Sequence, residues 1–251
     1  LIGTWNLVPV PTNSSDTIYP IHSVWESSKQ ISIELFPGFA TEMPMETILS
    51  LALRMPVVGD QSVCQMLTTV LQSVTFGADG NVIASYSDAA DVATPSWQNS
   101  PAGMVQYCVK GDQILAYLDI DAIMGAVMAA STKATADDLL AKVLPILMAH
   151  MSEIAPMLSQ GIPLAYTSNV ETGTLTVYID QNGLGGVVLG ILDEVVNNPE
   201  LMAMIAELAA SGMGDSGSSL AGMLPAILEQ LPAVVEGTTS LELGLNFNPA
   251  E

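Results

Sequence analysis

The sequence predicts an α+β fold in which about ten antiparallel strands form a barrel or a strongly curved meander sheet, with apolar helices inserted between hairpins. Three observations predict it. Apolar and polar residues alternate in short runs, of which residues 241–247 form the cleanest. Several pairs of such runs are joined by short turns that contain glycine. The longer segments between these pairs carry apolar residues at helical spacing.

Strand-like runs open the chain at residues 3–10, 17–25 and 30–36. In the last of them, Ile31 and Ile33 alternate with polar neighbours. This period of two is typical of a strand with one buried face.

Helical periodicity marks insertions at about 41–72, 119–159 and 184–236. In each insertion, apolar residues recur at intervals of three and four, which places them on one helix face. Asn198 is a predicted N-cap, and Pro199 follows at the first helical position.

The hairpin turns are predicted at residues 78–81, 110–112 and 171–173. In the first of them, Asp79 and Gly80 form the pair that supplies the positive φ of a tight turn. The final strand is able to pair with the first strand, and this pairing would remove exposed sheet edges by closure.

Hydrophobic residues make up 49% of the chain and the mean hydropathy is +0.44, which excludes a disordered chain and predicts a sizeable core. We interpret residues 1–251 as a single domain. Every apolar run is interrupted before the roughly 18 to 20 residues that cross a bilayer, so no transmembrane segment is predicted.

The chain is strongly acidic, with 26 Asp and Glu against five Lys and Arg and a formal net charge of −21. This charge repels phosphate backbones, so nucleic acid is not a predicted partner. We interpret the acidic charge as keeping an unusually apolar protein soluble.

Cys64 and Cys108 are the two cysteines of the chain, too few for a disulfide framework or a complete zinc site. The sequence leaves two alternatives open. The pair forms a disulfide in an oxidising compartment, or each thiol is buried separately as a small hydrophobic side chain.

The opening Leu1-Ile2-Gly3-Thr4-Trp5 resembles the Gly-x-Trp signature on the first strand of lipocalins and the broader calycin group. The resemblance implies that Gly3 and Trp5 are the barrel signature and that Trp5 closes one barrel end. Taken whole, the chain is similar to uncharacterised lipocalin-like lipoproteins of Gram-negative gut anaerobes. That similarity implies an exported protein in the periplasm or on the outer-membrane surface, lipid-anchored through a segment upstream of Leu1.

The motifs favour a protein without enzymatic activity. Residues 214–217, Gly-Asp-Ser-Gly, resemble the nucleophile segment of chymotrypsin-like proteases, but that chemistry needs a histidine base oriented by a buried aspartate. Neither His22 nor His150 lies in such a context, and we interpret the segment as a hinge. No metal site or cofactor is predicted, because the acidic groups lack calcium-loop spacing and carboxylates in an acidic chain cap helices and face solvent.

The 14 methionines are the most distinctive feature of the composition, because flexible thioethers line adaptable apolar pockets. We expect a lipid-like or other apolar small molecule between the barrel and the Met-rich helices. The expected ligand contacts are Trp97, Met124, Met128, Met148 and Met151. The alternative is a structural or interaction protein that contacts another cell-envelope protein and has a fully packed interior without a ligand.

Overall fold

The computed structural model describes residues 1–12, 18–36, 38–54, 56–58, 61–87, 95–119, 146, 149–212 and 218–250. The strands are β1 Gly3–Leu7, β2 Ile21–Ser27, β3 Ile31–Phe36, β4 Phe39–Met43, β5 Pro56–Val58, β6 Gln61–Ser62, β7 Leu71–Phe76, β8 Asn81–Tyr86, β9 Gln98–Asn99, β10 Val105–Lys110, β11 Gln113–Leu118, β12 Ile162–Ser168, β13 Leu175–Asp180 and β14 Thr238–Pro249. The helices of this part of the chain are α1 Met45–Arg54, α2 Val63–Val70, α3 Met151–Gln160, α4 Leu184–Val196, α5 Pro199–Gly212 and α6 Ser218–Glu236.

The main sheet closes into an antiparallel barrel. This confirms the predicted fold class and shows that the sheet is a barrel rather than an open, curved meander. The sheet has ten strands in the order β1-β7-β8-β10-β11-β12-β13-β14-β2, with β9 paired to β8. Strand β1 also pairs with β14, where Trp5 lies opposite Pro249 and Leu7 opposite Phe247. The ring therefore contains eight strands, and β2 and β9 lie outside it.

Short turns and long insertions lie at opposite ends of the barrel. The hairpins β7–β8, β10–β11 and β12–β13 all turn at one end, which we call the turn end. At Gly80 the backbone has φ 81°, as the Asp-Gly pattern predicts, and the Asp79 side chain accepts a hydrogen bond from the Asn81 N–H at 3.1 Å. The longer connections that carry the helices leave from the other end, since ring strands that are consecutive along the chain are antiparallel neighbours.

Side chains from the strands form a hydrophobic cluster in the barrel interior. The buried members of this barrel cluster are Leu7, Phe76, Ile114, Leu175 and Phe247. The Phe76 ring meets the Tyr107 ring edge to face, with centroids 5.1 Å apart, a favourable aromatic geometry. The described interior residues thus pack against one another.

A second hydrophobic cluster, the helix cluster, packs β2 and β3 against helices. Its buried residues are Trp25, Ile31, Ile33, Met45, Ile48, Val196, Ile227, Val234, Val235 and Leu241. The alternating stripe of β14 contributes to both clusters, because Leu241 joins the helix cluster while Phe247 joins the barrel cluster. The buried face of this strand is therefore shared between two separate hydrophobic clusters.

Several element boundaries differ from the sequence prediction. Residue 71 was expected to continue a helical face, but α2 ends at Val70 and Leu71 begins β7. Strand β4 was not predicted, and it pairs with β3 in a separate hairpin. The predicted cap of α5 is confirmed, since the Asn198 side chain accepts hydrogen bonds from the Glu200 and Leu201 N–H groups at 3.1 and 3.2 Å. The predicted helix after residue 119 and the hinge at 214–217 lie outside the described residues.

Candidate functional site

The two residues of the barrel signature lie on β1 near the turn end. Gly3 pairs with Phe76, and Trp5 pairs with Val74. The Trp5 side chain packs against the barrel cluster, and its Nε1 donates a hydrogen bond to the Leu1 carbonyl at 2.7 Å. This hydrogen bond holds Leu1 against the barrel wall.

The predicted apolar ligand contacts are only partly placed. Met124, Met128 and Met148 lie outside the described residues. Met151 is the first residue of α3, and its side chain also lies outside them. Trp97 is half-buried, precedes β9 and lies beside a surface groove.

Cys64 and Cys108 are both free thiols in the structure, where Cys64 is buried and Cys108 is exposed on the barrel wall. Their pairing in an oxidising compartment stays a prediction. Burial raises the pKa of the Cys64 thiol, and a hydrogen bond with the Ile21 backbone and the charge of Arg54 lower it in part.

A groove of about 380 Å³ lies on the outer side of the barrel, and we call it the Arg54 groove. Its lining comes from α1, β2 with the residues just before it, the β12–β13 hairpin and β14. Most of its side chains are hydroxyls, amides or charged groups. No other arginine occurs in the chain.

Helix α1 forms one wall of the groove through Glu46, Ser50 and Arg54, which are spaced four residues apart and therefore share a face. Met45 and Ile48 on another face are buried in the helix cluster and hold α1 in place. The Arg54 guanidinium lies 3.8 Å from the centre of the Tyr19 ring, a cation–π contact that orients it.

Threonine and asparagine side chains from the hairpin and β14 form the opposite wall. Thr176 donates a hydrogen bond to the Asn246 side chain at 2.6 Å, and the Asn246 amide donates to the Tyr19 carbonyl at 2.8 Å. Asn169 shapes the hairpin turn by accepting from the N–H groups of Glu171 and Thr172 at 2.9 and 3.2 Å. These bonds join the strand wall to the segment that carries Tyr19.

His22 lies at the edge of the groove and pairs with Glu242, with Nε2 2.8 Å from the carboxylate. Its ring also lies against Tyr178, with centroids 5.2 Å apart. Both rings stand opposite Gly244 on neighbouring strands, where an added Cβ would clash with Tyr178 and the Val177 carbonyl. Burial raises the pKa of the Tyr178 hydroxyl, and the charges of Glu242 and Asp180 add to the rise.

The second histidine, His150, lies at a different place. Its Nε2 is 3.1 Å from the Glu194 carboxylate and its Nδ1 is 3.4 Å from that of Glu153. The contact with Glu194 joins α3 to α4. Among the residues that the structure describes, His22 and His150 thus have carboxylates rather than hydroxyls or thiols as side-chain partners.

No local sequence pattern singles out Arg54 or the threonines of the strand wall. One signal was available, since a chain with a net charge of −21 contains a single arginine. Within the described ranges, no three His, Cys, Asp or Glu side chains come close enough to bind a metal ion. Among the described helices, none combines the length and the apolar character needed to cross a membrane.

Comparisons of the chain with protein-family models, curated proteins and solved structures give no match. Membership of a lipocalin-like lipoprotein family therefore stays a prediction that rests on the opening residues.

Proposed function

We propose that the protein is a non-enzymatic binding protein whose Arg54 groove holds a small hydrophilic ligand with a carboxylate group. The observation that carries this proposal is the position of Arg54. The only arginine of a strongly acidic chain lines a groove and is oriented there by the Tyr19 ring. A guanidinium presents two parallel N–H donors to a carboxylate, which gives both affinity and orientation.

The rest of the lining favours a ligand with several polar groups. Thr167, Thr172, Thr174 and Ser50 bring hydroxyls that both donate and accept hydrogen bonds. Glu46 lies two turns from Arg54 on α1, about 12 Å along the helix axis. A hydroxy acid, a sugar acid or a short peptide would place its carboxylate at Arg54 and its donor groups toward Glu46.

The surroundings of the histidines support binding rather than catalysis. A general base that activates a nucleophile lies within hydrogen-bond reach of a hydroxyl or thiol. Within the described residues, neither histidine makes a hydrogen bond with a hydroxyl or thiol. The Nε2 atom of His22 forms its hydrogen bond with the carboxylate of Glu242, and that of His150 with the carboxylate of Glu194.

Isothermal titration calorimetry with hydroxy acids, sugar acids and short peptides tests the proposal. At least one carboxylate-bearing compound should bind, and Arg54→Gln should weaken that binding at least about tenfold, because a charged hydrogen-bond pair is lost. Lys110→Gln is the matched control, since it removes one positive charge at an exposed position on β10, outside the groove. Equal affinity of Arg54→Gln and the unmodified protein would refute the proposal.

A second candidate function is the binding of an apolar small molecule, as the methionine content predicts. The observation that favours it is a groove of about 380 Å³ between helices, lined mainly by Val196, Met202, Leu228 and Pro232. Native mass spectrometry of the purified protein tests this candidate. A co-purified lipid-like mass would support it, and an empty protein that also binds no apolar probe would favour the structural or interaction alternative. Location in the cell envelope stays a prediction.

A further inference from the structure

A second groove, of about 310 Å³, lies beside Trp97, and we call it the Trp97 groove. Strand β9 fixes its position, because Gln98 pairs with Tyr86 and Asn99 pairs with Ser85 of the barrel. A reciprocal pair of hydrogen bonds at Ala84 and Ser100 adds to this attachment, with distances of 2.8 and 2.9 Å. The indole thus belongs to a segment that is fastened to the barrel wall.

The described residues that line the Trp97 groove carry no charge. Its apolar part comes from Leu7, Pro9 and Leu71. Its polar part comes from two amides and one hydroxyl beside the indole. The overall charge of −21 repels anions, and the described lining offers no carboxylate to bind a cation, so a neutral ligand is favoured.

The polar groups retain free hydrogen-bonding capacity. Gln72 accepts a hydrogen bond from Ser85 at 2.9 Å, which leaves its amide N–H groups to donate. Thr68 donates to the Gln65 carbonyl at 2.7 Å, which leaves its oxygen to accept. Within the described part of the chain, Asn6 and the Trp97 indole N–H make no side-chain hydrogen bond, so they add three N–H donors and one carbonyl acceptor.

An aromatic plane surrounded by amides and a hydroxyl matches the chemistry of a sugar ring. The C–H faces of a pyranose are apolar and pack on indole, while its equatorial hydroxyls each donate and accept. We propose that the Trp97 groove is a binding site for a neutral sugar residue, separate from the Arg54 groove and independent of the carboxylate ligand proposed there.

Calorimetric titration with neutral monosaccharides and their short oligosaccharides tests this proposal, at sugar concentrations up to about 10 mM. At least one sugar should bind, and Trp97→Ala should weaken binding at least about tenfold. Asn6→Ala provides a second variant at an exposed position and should weaken the same binding about threefold or more.

Two control variants separate this site from general effects. Phe39→Ala removes an aromatic ring that is 59% exposed on the β3–β4 hairpin, and Arg54→Gln removes the key group of the other groove. Both should leave sugar affinity unchanged. The absence of binding by every neutral sugar, or undiminished binding by both Trp97→Ala and Asn6→Ala, would overturn the proposal.

Discussion

Gln230 of α6 pairs with the backbone of Ser32 in β3 as a further strand would. Its Oε1 accepts from the Ser32 N–H at 2.8 Å, and its Nε2 donates to the Ser32 carbonyl at 2.9 Å. The side-chain amide thereby satisfies both polar groups at the edge of a two-stranded sheet. The Gln230 side chain thus joins the β3–β4 hairpin to helix α6.

Replacing Gln230 by Glu should lower the free energy of unfolding by about 1 to 3 kcal/mol, because the carboxylate cannot donate to the Ser32 carbonyl. Urea denaturation measures the change. Gln30→Glu is the matched control, since it makes the same charge change at an exposed position next to β3 and should have little effect. Equal loss in both variants would mean that charge, rather than the paired amide, is responsible.

Truncation of Ile114 tests whether the barrel interior is filled. Ile114 is 1% exposed within the barrel cluster, so Ile114→Ala should cost about 2 to 5 kcal/mol through lost burial and an added cavity. Val170→Ala, at a side chain that is 94% exposed, should cost almost nothing. A cost below about 1 kcal/mol for Ile114→Ala would indicate a hollow, solvated barrel.

Gly244→Ala should destabilise the protein by about 1 to 3 kcal/mol, because the added methyl group clashes with the Val177 carbonyl and the Tyr178 side chain. Thermal unfolding followed by circular dichroism measures the loss. The same change should alter the ultraviolet signal of Tyr178, whose ring lies against His22. A variant as stable as the unmodified protein would show that Val177 and Tyr178 do not approach Gly244 closely enough to exclude a methyl group.

The two thiols should differ in reactivity toward an aromatic disulfide reagent at pH 8. Cys108 is exposed and should react in the native protein, whereas Cys64 is buried, and its raised pKa further lowers the thiolate fraction. Both should react in denaturant without a reductant. Failure of both thiols to react in denaturant until a reductant is added would indicate a disulfide.

The barrel was largely predictable from the sequence, because its signals are local. The Asp79-Gly80 turn and the alternating stripe at 241–247 each specify geometry within a few residues. The division of that stripe between two clusters was not predictable, since alternation shows that a face is buried and not against what. Strand β4 was missed because its five residues are all exposed or half-buried, which gives little periodic signal.

The Arg54 groove was not predictable for a different reason. Arg54, Thr176 and Asn246 come from three distant parts of the chain and meet only because β13 and β2 both pair with β14 and α1 packs beside β2. No spacing rule connects such positions. Trp97, in contrast, was singled out from the sequence as an expected contact for an apolar ligand, and this role stays a prediction. In the structure it lies beside a groove whose described lining contains none of the predicted methionines.

Amide chemical-shift mapping during titration with the tightest-binding carboxylate compound shows where the ligand lies. For a ligand in the Arg54 groove, shifts should concentrate at Arg54, Thr174, Thr176 and Asn246, while Ile114 inside the barrel is unaffected. Shifts concentrated at Ile114 and its neighbours in the barrel cluster, with none along the Arg54 groove, would contradict binding in this groove.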